Sequence, residues 1–173
     1  IRRRSGSTTI EVLPADFHAR RQCIETVCNA GPEVYNHNLE TVERITCGIR
    51  PQADYGRSLD VLRIVKEISP QTVTKSGLMV GLGETEEEVV EVMEDLRVAN
   101  VDFLTIGQYL RPTPRHAEVD RYVLPEEFER YRALAMERGF ALVSASPLTR
   151  SSYHAGDDFA RLREARLRKL GQV

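Results

Sequence analysis

Three polar side chains stand in a row at Asn36-His37-Asn38. Amides can both donate to and accept from the hydroxyls of a ribose or the charged groups of an amino acid. The same residues could instead close a turn with Asx hydrogen bonds. A second segment, Gly77-Leu78-Met79-Val80-Gly81-Leu82-Gly83-Glu84, spaces glycines along what reads as the end of a strand. Glycine there lets a ligand approach the backbone, and a helix starting just after it offers unpaired N–H groups. The spacing is not the G-x-G-x-x-G of a dinucleotide loop, and no P-loop lysine follows the glycines. Lys75 precedes them and is either a Schiff-base former or half of an ion pair with a carboxylate. Near the end, Arg150-Ser151-Ser152-Tyr153-His154 brings a hydroxyl and an imidazole together. No nucleophile elbow surrounds Ser151, which argues against a hydrolase and leaves a serine-capped loop as the plain alternative.

Metal-ligand patterns are weak. His18, His37, His116 and His154 include no pair with ligand spacing on a helix face, so a structural zinc site is not expected. Cys23, Cys28 and Cys47 make an odd number, against a disulfide framework and for a reducing compartment, which makes the cytoplasm the expected location. Cys23 and Cys28 lie five apart in a helical stretch. At about 100° per residue they point to different faces and are poor joint ligands. Lysine and arginine number 24 against 26 acids, a net charge of −2, which gives no reason to expect nucleic acid or an anionic membrane as a partner. Apolar runs are only strand-length, and no signal-peptide pattern is present. The chain begins at Ile1 with a basic, polar stretch to Ser7 that reads as a cut point.

The elements that must position these residues alternate. Thr8–Leu13 reads as a strand, Asp16 to Ala30 as a helix stopped by Gly31-Pro32, and Glu33–Asn36 as a short strand. Ser58–Ile68 has helical spacing of apolar residues, and Thr72–Val80 is a clear strand. Thr85 and Glu88 form a capping box that opens a helix buried through Val89, Val92, Met93 and Leu96. Phe103–Leu110 reads as a strand, Pro125 to Gly139 as a helix, Phe140–Ser144 as a strand and Asp157–Leu170 as a basic amphipathic helix. Strands alternating with helices of this length imply parallel βαβ units. Periodicity leaves both a barrel, partial or complete, and an open doubly wound sheet standing. In either, residues at carboxy-terminal strand ends line the site.

Taken together, these segments resemble the lipoyl synthases, within the radical S-adenosylmethionine enzymes. The resemblance is carried by Val34-Tyr35-Asn36-His37-Asn38-Leu39-Glu40-Thr41, Ala53-Asp54-Tyr55 with Arg57-Ser58-Leu59, and Thr74-Lys75-Ser76-Gly77-Leu78-Met79-Val80-Gly81-Leu82-Gly83-Glu84-Thr85. It continues through Leu104-Thr105-Ile106-Gly107-Gln108-Tyr109-Leu110, Arg121-Tyr122-Val123 with Pro125-Glu126-Glu127-Phe128, and Arg150-Ser151-Ser152-Tyr153-His154-Ala155. Several long stretches in the same order are a specific signal.

The resemblance implies an α/β fold: a partial (β/α)6 barrel truncated at its amino terminus, with about four barrel strands in residues 1–140 and a carboxy-terminal extension in 141–173. It implies S-adenosylmethionine and two [4Fe-4S] clusters, one cleaving the cofactor to a 5′-deoxyadenosyl radical and one giving up sulfide. The substrate it implies is octanoyl-lysine on lipoyl carrier domains of 2-oxoacid dehydrogenases and the glycine cleavage H protein, with a mitochondrial or plastid location if the source is eukaryotic. Gly77, Met79, Gly81 and Glu84 match the G-x-I-x-G-x-x-E pattern near the adenine. Asn36 and Asn38 fall where ribose and methionyl contacts are expected, Arg57 near the methionyl carboxylate, and Gln108 on the adenosyl face. Ser151 matches the serine ligand of the sulfide-donating cluster, where an oxygen donor leaves one iron labile.

Departures from the family pattern are also plain. The C-x4-C-x5-C and C-x3-C-x2-C triads are absent, and the C-x4-C spacing of Cys23 and Cys28 would place its next ligand on Val34. Pro14-Ala15-Asp16-Phe17 and Ser144-Ala145-Ser146-Pro147 also differ locally from the family pattern. The chain alone is therefore expected to hold no stable cluster and to be inactive. A noncatalytic module that binds carrier domains is the alternative.

Overall fold

The computed structural model describes residues 1–150. Ser151, the Ser152-Tyr153-His154-Ala155 portion of the motif and the helix expected at Asp157–Leu170 lie outside the described residues. The described chain alternates strand and helix: β1 (Glu11–Val12), α1 (Arg21–Asn29), β2 (Val34–Asn36), α2 (Glu43–Ile49), α3 (Tyr55–Ile68), β3 (Val73–Val80), α4 (Glu86–Val98), β4 (Phe103–Gln108), α5 (Pro125–Glu137) and β5 (Leu142–Ala145). The 5-stranded sheet runs β1-β2-β3-β4-β5, and every pairing is parallel.

That order decides between the two architectures the sequence left open. A doubly wound sheet reverses its strand order at a switch point. Here each new strand adds on the same side, so right-handed crossovers put the helices on one face and leave the other concave, as in a barrel wall. The packing agrees. Leu78, Val80, Leu104, Ile106 and Val143 join α3, α4 and α5 in one buried cluster, while Val34, Val73 and Phe103 form a separate cluster from the alternate positions. Leu62, Val89, Met93 and Leu104 are fully buried. Side chains of this size are each worth roughly 1.5–3 kcal/mol when fully buried.

Several elements differ from the sequence expectation, each for a physical reason. β1 is two residues rather than Thr8–Leu13, because only Glu11 and Val12 pair with β2. The helix expected from Asp16 is broken. Phe17, His18 and Ala19 have φ of 50°, 52° and 52°, and Asp16 caps only that turn, accepting from the His18 N–H at 2.9 Å. α1 then begins at Arg21, after Arg20 turns extended. α2 carries no strong periodic signal and was not expected. α3 starts earlier than Ser58, capped by Asp54, which accepts the Arg57 N–H at 2.7 Å. The strand expected at Phe140–Ser144 shifts to Leu142–Ala145 and joins the same sheet as its fifth member. α4 and its capping box form as expected.

Candidate functional site

β2 ends at Asn36, and the next residues turn across the mouth of the sheet. The His37 N–H donates to the Lys75 carbonyl at 3.0 Å. Glu40 then takes a positive φ of 72°, an uncommon conformation for a residue with a side chain. β3 holds it there: the Glu40 N–H donates to the Gly77 carbonyl and the Met79 N–H to the Glu40 carbonyl, both at 2.9 Å. Such outliers persist only where neighbours over-determine them, and they gather at functional sites.

This turn carries a cluster of buried acceptors. The Asn36 amide donates to Glu11 Oε1 at 3.0 Å, and the Asn38 amide donates to Glu40 Oε1 at 3.1 Å. A carboxylate can only accept, so it forces each amide nitrogen towards itself and turns each amide oxygen away. Among the described residues those two oxygens, Asn36 Oδ1 and Asn38 Oδ1, are buried without a hydrogen-bond partner, and so is His37 Nε2. Burying such atoms unpaired is costly, so an arrangement of them calls for donors from outside the described residues. Burial also depresses the His37 pKa, so its ring is neutral near pH 7.

Two adjoining cavities meet at Asn38 and Glu40. One, of about 640 Å³, is walled by Pro14, Asp16, His37, Arg50 and Gln52. The other, of about 410 Å³, lies over Gly77, Met79, Thr105 and Gly107 and is bounded by Thr149 and Arg150. Glycine is required on that floor. A Cβ on Gly77 would stand 2.8 Å from Asn38 Oδ1 and 3.0 Å from Thr105 Oγ1, and one on Gly107 would strike the Thr149 carbonyl.

Of the residues singled out from sequence, Asn38, Gly77 and Met79 line these cavities. Asn36 lies on the same face, beside Glu11 and Lys75. The others serve the protein's own framework. Arg57 donates to Asp16 Oδ2 at 2.7 Å and to the Gln52 carbonyl at 2.9 Å, pinning the wall of the larger cavity. Glu84 accepts the Gly81 and Leu82 N–H groups at 2.6 and 2.8 Å and shapes the loop after β3. The Gln108 amide donates to the Tyr109 and Arg121 carbonyls and accepts the Val123 N–H at 2.8 Å, bracing the β4–α5 loop; Gly81, with φ 97°, leaves room for it. Lys75 is an ion-pair lysine. Its Nζ lies 3.1 and 3.2 Å from the Glu11 oxygens and 4.7 Å from the Phe103 ring centre.

Sequence reasoning missed Glu11, Glu40 and Arg50. Arg50 Nη1 donates to the Asn38 carbonyl at 3.2 Å and is the cation in the wall of the larger cavity. Leu39-Glu40 directly after the asparagines was a usable signal for Glu40; nothing in the spacing pointed to Arg50.

Monotonic parallel strands with a polar, cavity-bearing mouth define a barrel-type α/β protein. The model of the radical SAM superfamily matches residues 2–96, more than half of the chain, and the chain belongs to that superfamily. Among solved structures it is similar to methylornithine synthase, with TM-score 0.63 and 13% identity over 97% of this chain and 59% of that one. It is also similar to 2,3-dimethylmalate lyase, a PEP mutase/isocitrate lyase superfamily member, with TM-score 0.51 and 16% identity over 92% and 53%. These likenesses show the fold, and the chain spans 59% and 53% of those two lengths.

The superfamily implies S-adenosylmethionine and a [4Fe-4S] cluster. The residues fit the first: the cofactor carries hydroxyl and ammonium donors for the orphaned acceptors and a carboxylate for Arg50. They do not fit the second. Cys28 is buried in the helix layer with Ile24 and Tyr35, Cys23 is half-buried on the same helix, and Cys47 is exposed on α2. Among the described residues no three His, Cys, Asp or Glu side chains are grouped to hold a metal. No helix among them is long and apolar enough to cross a membrane.

Proposed function

We propose that this chain supplies the S-adenosylmethionine-binding wall of a lipoyl synthase, whose full-length form inserts two sulfur atoms into protein-bound octanoyl-lysine. The observation that carries the cofactor reading is the set of buried, partnerless acceptors at Asn36, His37 and Asn38. A donor-rich ligand satisfies them, and an anionic ligand without donors does not. Asn38 and Glu40 serve the ribose, Arg50 the carboxylate, and the cavity beside Gly77 and Met79 receives the adenosyl group. When bound, that cofactor supplies the adenosyl radical of the superfamily. The protein's part is to orient it and to exclude water from the concave face.

The assignment to sulfur insertion rests on the ordered motif stretches from Val34 to Ala155, above all on Arg150-Ser151-Ser152-Tyr153. In this reading Ser151 is an iron ligand and the thiolate ligands come from polypeptide beyond this chain. Octanoylated lipoyl carrier domains are the protein partner.

The test is anaerobic turnover by the full-length protein on an octanoyl-lysyl peptide with S-adenosylmethionine and a reductant. Mass spectrometry is expected to show the dithiolated peptide, and Ser151→Ala is expected to abolish it. Cofactor cleavage with no sulfur transfer would sink the sulfur-insertion reading. Carrier-domain binding with neither reaction would favour the noncatalytic module.

A further inference from the structure

The loop that joins β4 to α5 is long for a compact fold. Sixteen residues, 109–124, separate Gln108 from Pro125 with neither helix nor strand. Loops of that length are usually functional. This one springs from the carboxy end of β4, next to Gly107 in the wall of the smaller cavity. It is built to hold its shape. Tyr109 Oη donates to the Ala117 carbonyl at 2.9 Å. Arg111 donates to the His116 and Pro114 carbonyls at 2.9 and 2.6 Å and to Glu118 at 3.2 Å. The Asp120 N–H donates to the Gly81 carbonyl at 2.9 Å, and Gln108 ties down Arg121 and Val123 where the chain returns.

What this frame leaves in solvent is apolar and basic. Eight large apolar side chains are exposed among the described residues, and five of them stand at the mouth: Leu13, Leu148 and, in this loop, Leu110, Tyr122 and Leu124. Tyr122 is 71% exposed. Arg115 is exposed and forms no ion pair among the described residues. The loop's two acids do not offset it, because Glu118 pairs with Arg111 and Asp120 lies against Gly83. Tyrosine and arginine are favoured at interfaces, and a preset frame lowers the cost of ordering them. The reaction proposed above needs a surface of this kind. Its acyl arm is tethered to a folded carrier, and a lysine side chain with an octanoyl group is short. The carrier body must therefore rest on the rim while the arm enters the cavities.

We propose that the β4–α5 loop is the seat of the octanoylated carrier domain, with Tyr122 and Leu110 against an apolar spot on the carrier and Arg115 against one of its carboxylates. The inference rests on the sulfur-insertion reading and deepens it by naming the surface its partner uses.

Binding of octanoylated glycine cleavage H protein to the full-length protein is measured by biolayer interferometry, beside turnover of that carrier and of an octanoyl-lysyl peptide. Tyr122→Ala and Arg115→Glu are each expected to weaken carrier binding about tenfold, the size of a substantial single-residue contact. The Arg115→Glu loss is expected in the association rate and is expected to shrink as salt rises. Both variants change exposed side chains and are expected to turn over the peptide as the wild type does, with only the KM for the carrier raised. Carrier binding that is absent or indifferent to both variants overturns the proposal, and so does peptide turnover that falls in step with carrier binding. Tyr122 shielded from hydroxyl-radical modification in the free full-length protein also overturns it, because other parts of the polypeptide would then cover the loop. Carrier binding that both variants weaken, with no sulfur transferred to any substrate, leaves the docking surface standing and removes the sulfur-insertion reading.

Discussion

Two asparagines at one strand end each have the amide nitrogen claimed by a glutamate, which leaves both amide oxygens without a partner among the described residues. Asn38→Ala removes an acceptor that lines both cavities and is expected to weaken S-adenosylmethionine binding by about three- to tenfold, the worth of one neutral hydrogen bond. Equilibrium dialysis reads this, with the thermal midpoint unchanged. His37 also sets a pH dependence. Its native pKa lies below the ordinary 6.5, chiefly through burial, with the Arg50 and Arg57 charges adding to the depression and Asp16 opposing it. As pH falls through about 6.5 the unfolded chain takes up a proton that the folded ring refuses, so stability declines until pH passes below the native value. Urea midpoints measured from pH 7.5 to 5 are expected to fall less steeply for His37→Gln. At this scale the sequence was informative about residue types and blind to their partners. Asn36-His37-Asn38 announced a polar site; Arg57 and Gln108, weaker candidates in the sequence, have their partners in Asp16 and in the β4–α5 loop.

Elements with explicit end signals were legible; those shaped by long-range contacts were not. Thr85 and Glu88 cap α4 reciprocally, and Glu88 also takes a two-pronged contact from Arg44 on α2, at 2.6 and 2.9 Å. That contact pulls the Glu88 carboxyl down to about 2. Thr85→Ala is expected to cost about 1 kcal/mol by thermal unfolding, as lost caps commonly do. α2, by contrast, is a seven-residue helix whose one fully buried position is Thr46, and such a helix leaves no stripe to read. The break at Phe17–Ala19 was equally hidden, because nothing local demands left-handed backbone there. Gly107 is a further consequence of assembly. It is needed because the chain after β5 brings the Thr149 carbonyl against β4. Gly107→Val is expected to displace that crossing and destabilise the protein by about 1–3 kcal/mol, the usual range for overpacking.

At the scale of the whole molecule, parallel alternation was visible in the sequence and the winding was not. Only the strand order showed that the helices share one face and the mouth is concave. β1 is a short strand at the edge of the described sheet, paired on one side with β2, and an open edge invites association. The 173-residue chain on its own, incubated with iron and sulfide, is expected to give no stable [4Fe-4S] absorbance, since its cysteines stand apart on α1 and α2. The central claim is that orphaned acceptors at the end of β2 exist to hold a donor-rich adenosyl cofactor. Its most direct test is saturation binding of S-adenosylmethionine to the full-length protein and to its Asn36→Ala and Asn38→Ala variants. One-to-one binding that both substitutions weaken, with folding intact, is the expected result; no saturable binding, or affinity indifferent to both, would contradict it.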